Sequence, residues 1–109
     1  MRIWDIAPKQ LCRNHLLGEH RELHAIWSVI TKNKKGYSRH PETLRWRGKL
    51  AALYLRHKLL IEEMKRRGYN HYSQLNYRLA RGIKKQIVFV DSPKKQREIL
   101  RNKNCNCKV

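Results

Sequence analysis

Apolar residues recur at helical spacing from residue 12 onward: Cys12, Leu16, Leu23, Trp27 and Ile30 fall on one stripe. The pattern predicts a first helix over residues 8 to about 31, with Pro8 in its first turn and Asp5 or Ala7 just outside. Residues 33–39 (NKKGYSR) are polar, basic and turn-rich, and read as a connection. His40-Pro41-Glu42 then reads as a helix start, because Pro fixes φ at the first position and Glu favours the positive end of the dipole. A second helix is predicted over residues 41–67, burying Leu50, Leu53, Tyr54, Leu60, Ile61 and Met64. Lys65, Arg66 and Arg67 suit its negative end, and Gly68 stands where a left-handed residue is wanted.

Beyond Asn70 the periodicity weakens. Residues 73–81 are compatible with a short helix ended by Gly82. Residues 86–90 (QIVFV) have extended propensity but are too short to build a sheet alone. Ser92-Pro93 opens a last helix through Leu100, Ser92 as cap and Pro93 in the first turn. The tail from residue 102 is expected to be irregular. The fold class expected is all-α: a single compact domain of about three main helices with a short irregular C-terminal region. Its helical core covers about residues 8–70, and residues 71–109 form a basic extension.

Charge narrows what such a domain binds. Twenty-six Lys+Arg against eight Asp+Glu leave a formal net charge of +18, which repels itself when folded and points to a polyanionic partner. Nucleic acid fits best, since each phosphate neutralised releases counterions. An anionic membrane surface fits less well, because the basic residues are spread through every segment. No run approaches the roughly 20 apolar residues of a spanning helix. Residues 1–7 carry Arg2 and Asp5 and lack the apolar stretch of a signal peptide, so a cytoplasmic location is expected. Lys34, Lys35, Lys65, Arg66, Arg67, Lys84, Lys85, Lys94 and Lys95 read as phosphate contacts, with solvated surface as the plain alternative for each.

Three cysteines do not make a disulfide framework. Cys105 and Cys107 could chelate zinc with Cys12 and a histidine such as His71. Their spacing is tight and no second close pair exists, so unliganded thiols and no metal are expected. Trp4, Trp27, Trp46, Tyr69 and Tyr72 read as core or rim packing, one of them available to stack on an unpaired base.

Candidate chemistry lies on the first helix. At about 100° per residue, with His15 at zero, Glu19 falls near 40° and Glu22 near −20°. The three share a face beside the apolar stripe, with Arg21 on a flank. A carboxylate at Glu22 could act as general acid/base or stabilise a developing cation, and His15 could position a base or phosphate. On the pattern alone, a solvated face with i,i+4 and i,i+7 pairs explains the cluster better.

A resemblance changes that balance. Arg2-Ile3, Leu11, His15-Leu16, Glu19 and Arg21-Glu22-Leu23 resemble the amino-terminal block of the phage pyrimidine-dimer glycosylases, the endonuclease V type acting on ultraviolet damage. Lys49-Leu50, Leu53, Arg56, Leu60-Ile61, Glu63, Arg67-Gly68 and Asn70 resemble a second block of the same family, in the same order. The resemblance implies a compact α domain in which the N-terminal α-amine attacks C1′ of a damaged nucleotide and forms an imine. The amine is then Met1, since Arg2 is large enough to retain the initiator residue. The essential glutamate is Glu22, and Arg2, His15 and Arg21 hold the distorted DNA. An α-amine has a reference pKa near 8, so a useful fraction is neutral at physiological pH. Arg2 and Arg21 would lower it further.

No metal or organic cofactor is needed for this chemistry, and a monomer acting on damaged double-stranded DNA is implied. One turn beyond the glutamate the family has an arginine where Ala25 stands here, and His24 is the neighbour placed to substitute. Two other readings stand beside this one. A non-enzymatic basic module binding DNA or RNA fits the charge but not the clustered carboxylates. A lyase or glycosylase for a different lesion fits the chemistry and differs in substrate.

Overall fold

The computed structural model describes residues 2–70 and 73–109. Four α-helices appear among them: α1 (Arg13–Thr31), α2 (Pro41–Trp46), α3 (Leu50–Arg66) and α4 (Pro93–Arg101), with 3-10 turns at Pro8–Gln10 and Tyr77–Leu79. No strand is present among the described residues, so the all-α expectation holds.

Helix α1 packs chiefly against α3, through Leu16, Leu23, Ile26 and Trp27 on one side and Leu53, Leu60, Ile61 and Met64 on the other. The first predicted helix is broken at its start. Leu11 and Cys12 are extended, which separates Pro8–Gln10 from α1. The cause is tertiary. Arg67 Nη2 donates to the carbonyls of Pro8, Lys9 and Leu11 (3.2, 3.4 and 2.7 Å), while its Nε holds Glu63 at 2.8 Å. Carbonyls turned toward that guanidinium do not continue a helical ladder.

The second predicted helix is two. Arg47 is extended and Gly48 has φ +73°, dividing α2 from α3. The first amides of α3 lack helical partners, and the returning chain supplies them: Ala51 and Ala52 donate to the carbonyls of Arg81 and Ile83 (2.9 and 3.1 Å). Ile83 in turn donates to Gly48 O at 3.0 Å. The approach is close enough that a Cβ on Gly82, itself at φ +91°, would meet Gly48 O at 2.2 Å. Residues 73–81 accordingly form only the Tyr77–Leu79 turn, since the chain here turns back to serve α3.

At its other end α3 stops as predicted, with Gly68 at φ +81° and Tyr69 N–H reaching Met64 O at 2.9 Å. Ser92 caps α4 through Lys95 N–H at 3.1 Å, and residues 102–109 form no regular element.

The C-terminal third is no appendage. Leu100 is buried in the main core, and Gln96 joins α4 to the N-terminal segment by bonds to Asp5 N–H and carboxylate (2.7 and 2.9 Å). Buried Arg45 of α2 completes the tie, donating to Glu42, Asp5, Ile3 O and Val88 O. A Cα radius of gyration of 13.5 Å matches the roughly 13 Å of a compact 100-residue domain.

Candidate active site

The N-terminal segment runs back along α1. Pro8 and Leu11 sit at Arg67, near the start of α1, whereas Trp4 N–H donates to Glu19 Oε1 at 3.0 Å. The segment therefore climbs toward the Glu22 end of the helix as residue number falls. Met1 lies outside the described residues, as do His71 and Tyr72.

Glu19 is fully buried rather than part of a solvated face. Arg56 of α3 grips it from two nitrogens at 2.7 and 3.0 Å, and Arg56 Nη1 also donates to Ile6 O at 2.9 Å. Burial pushes the Glu19 carboxyl upward, and the Arg56 charge, its hydrogen bonds and the Trp4 amide pull the other way. Glu19 and Arg56 thus anchor the N-terminal segment between α1 and α3. Arg56 had no assigned role in the sequence reading, although its place in the second block was a signal.

The eight carboxylates sort into two sets. Asp5, Glu19, Glu42, Glu63 and Asp91 each pair with an arginine. Glu22, Glu62 and Glu98 make no ion pair among the described residues, and of these only Glu22 is half-buried, the other two being exposed. In a chain with 26 cationic side chains, that leaves Glu22 as the sheltered side-chain carboxylate without an ion pair among the described residues.

The remaining predicted residues are dispersed. Arg2 pairs with Asp91 at 3.0 Å and lies over Trp4. Arg21, Lys34, Lys35, Lys65 and Arg66 are exposed, with Arg66 also bonded to Glu63. Arg67 is committed to Glu63 and the Pro8–Leu11 carbonyls. His15 lies seven residues before Glu22, about 10 Å along the axis, and its Nδ1 faces Cys12 and Cys107 instead. Burial and the nearby Lys103 charge lower its pKa.

His24, next to Ala25, turns into a cluster with His20 and His57. His24 Nε2 lies 3.2 Å from His57 Nε2, and these two nitrogens lie 3.2 and 2.9 Å from Ser73 O. Burial lowers all three pKa values, that of His57 to about 4, so His24 is a poor stand-in for a cationic arginine. Among the described residues, two groups of side chains bring potential metal-ligating atoms within 4.8 Å of one another: His20, His24 and His57, and Cys12, His15, Cys105 and Cys107.

Trp4, Trp27 and Trp46 are core residues, at 5%, 6% and 2% exposure, while Tyr37 in the basic loop is 68% exposed and Tyr77 73%. Of the aromatics expected to stack on a base, the three tryptophans are thus closed off, Tyr69 is half-buried and Tyr72 lies outside the described residues, while Tyr37 and Tyr77 are open. An aromatic flanked by Lys34, Lys35 and Arg39 was the available signal. Tyr37 adopts φ +59° and lines a surface depression with Lys35, Ser38, Arg39 and His40.

These features define a small, basic, all-α domain whose longest helix carries one sheltered carboxylate with no ion pair among the described residues. The pyrimidine dimer DNA glycosylase family model matches residues 1–77, well over half the chain, and the protein belongs to that family of DNA-repair glycosylases. Neither the curated proteins nor the solved structures compared with the chain yield a match. No helix among the described residues is long and apolar enough to cross a membrane.

Proposed function

We propose that the protein excises cyclobutane pyrimidine dimers from duplex DNA and then cleaves the abasic strand, using the Met1 α-amine as nucleophile. The neutral amine attacks C1′; the C1′–N bond breaks and the base leaves with its electron pair, taking up a proton. The attached nitrogen gives up one of its two protons, and its lone pair then breaks C1′–O4′, O4′ taking up a proton, to leave an iminium between Met1 and C1′ that keeps one N–H. That iminium is the electron sink for loss of a C2′ proton and expulsion of the 3′ phosphate. Water then hydrolyses the conjugate and returns the free amine. Glu22 stabilises the cationic sugar and shuttles protons.

The observation that carries this reading is Glu22: sheltered, without an ion pair among the described residues, and one helical turn from the Glu19 carboxylate that receives the Trp4 amide. The direction of the N-terminal segment, toward the Glu22 end of α1, supports the choice of nucleophile. Arg2, Arg21, Lys34, Lys35, Lys65 and Arg66 contact phosphates, and Tyr37 stacks on a base displaced from the duplex.

Borohydride trapping on dimer-containing duplex tests the reading, with an abasic duplex alongside. Wild type forms a trapped adduct with both, whereas a verified N-terminal extension abolishes trapping and retains DNA binding. Glu22→Gln binds dimer duplex as tightly as wild type and loses base release by roughly two to four orders of magnitude. Equal base-release rates for wild type and Glu22→Gln would overturn the assignment. Trapping on the abasic duplex alone would leave a lyase and remove the dimer activity.

A further inference from the structure

The start of α1 and the end of the chain meet in an arrangement the glycosylase reading does not use. Cys12 is the residue before α1 and His15 lies in its first turn, so one turn of helix presents a Cys-x-x-His pair. Cys105 and Cys107 come from the irregular tail. The three sulfurs of Cys12, Cys105 and Cys107 and a ring nitrogen of His15 all lie within 4.8 Å of one another. We infer that these four side chains bind one zinc ion in a closed, structural site of three cysteines and one histidine that pins the C-terminal tail to the start of α1.

The geometry has the right scale. With Zn–S about 2.3 Å and Zn–N about 2.0 Å, a tetrahedron places its ligand atoms roughly 3.5–3.8 Å apart. Nδ1 of His15 lies 3.0 Å from Cys12 Sγ and 3.3 Å from Cys107 Sγ, a few tenths of an ångström inside that spacing. Cys107 Sγ accepts the Cys12 backbone N–H at 3.1 Å, the kind of outer-shell bond that stabilises a ligating thiolate. Three thiolates and one imidazole are a soft donor set suited to zinc, and four protein ligands leave no open position.

Residues 102–109 contain no regular element and are mostly exposed. Outside the sulfur cluster they are held by two bonds between Gln10 and Lys108, at 2.7 and 3.2 Å, by Lys103 over the Trp4 ring, and by Val109, which packs on the core and accepts from Arg101 Nε at 2.9 Å. A metal linking residues 12 and 15 to residues 105 and 107 closes nearly the whole chain into a loop, where a cross-link restricts the unfolded chain most. It also fixes His15: ligation through Nδ1 leaves the ring proton on Nε2, which becomes a donor of set orientation. None of this depends on the glycosylase mechanism.

The test uses the full-length protein, purified reduced from zinc-supplemented cells. Elemental analysis should find one zinc per chain. Exchange for cobalt should give the thiolate-to-cobalt charge-transfer and tetrahedral ligand-field bands of a site with three sulfur ligands and one nitrogen. Cys105→Ser/Cys107→Ser lies outside every helix and removes no fully buried side chain, the Cys105 bond to Leu100 O being one a serine hydroxyl can also make, so it should stay helical by circular dichroism. It should lose the cobalt spectrum and weaken zinc binding by no less than the roughly 10- to 100-fold that losing an outer-shell partner costs. Zinc retained by that variant would place the metal elsewhere, on His20, His24 and His57, and overturn the proposal. So would a metal-free wild type that shows no cobalt charge-transfer band, or one in which mass spectrometry finds Cys12 and Cys107 joined as a disulfide.

Discussion

Replacing Arg56 by Met removes the guanidinium that holds Glu19 while keeping a side chain of similar length. In the native fold the Glu19 side chain is 0% exposed and that of Arg56 11%, so water cannot take over the lost bonds. The carboxylate keeps the Trp4 amide and nothing else from its present partners. Removing one member of a buried pair costs about 3–5 kcal/mol. At about 2.1 cal/mol/K of melting entropy per residue, 109 residues lose Tm by roughly 4 °C per kcal/mol, or roughly 13–22 °C in all. The loss should depend on pH in a definite direction. Burial pushes the Glu19 carboxyl upward, and without Arg56 its folded pKa stands well above its unfolded one. The folded variant then binds the proton more tightly, so it is most stable in acid and weakens as pH rises. Glu19→Leu/Arg56→Met, which removes both charges, should recover most of the stability, the Trp4 N–H and Ile6 carbonyl accounting for the remaining 1–3 kcal/mol or so. Tryptophan fluorescence melts of wild type, single and double variants across pH 5–8 measure all of this. A single variant within 4 °C of wild type, or a double variant no better than the single, would refute the reasoning.

The histidine cluster should sensitise the fold to acid. The pKa of His57 is lowered to about 4, by burial first and then by His24 and His20, so the unfolded chain takes up the proton more readily. Stability is complete above the unfolded value near 6.5 and falls as pH drops toward 4, by up to about 3 kcal/mol. His57→Gln should flatten that fall in urea titrations at pH 4–7, and parallel curves for the two proteins would exclude the mechanism. Non-specific duplex affinity should fall with salt at a slope of roughly −0.9 per phosphate contacted. Lys34→Gln/Lys35→Gln should shrink the slope by about 2, whereas an unchanged slope would remove that loop from the interface.

Some of this protein was written in local chemistry. The end of α3 and the start of α4 followed from Gly68 and from Ser92-Pro93, because caps and left-handed glycines act within a turn of their own position. The all-α class followed from apolar spacing, and the nucleic-acid partner was inferred from charge, a property of composition. Glu22 became a candidate through its block of neighbours. The tertiary structure decided what depends on residues far apart in the chain. Gly48 was visible as a residue, but its break between α2 and α3 exists because the chain returns at residues 81–83 to serve the open amides of α3. Glu19 looked like Glu22 on a helical wheel. Arg56, 37 positions away, makes the first structural, while the second finds no partner among the described residues. His15 and Cys107 lie 92 residues apart, a separation over which no periodicity or spacing carries information. Whether a side chain is paired, buried or left available depends on which distant groups the packed core brings to it, and α1 and α3 supply that core.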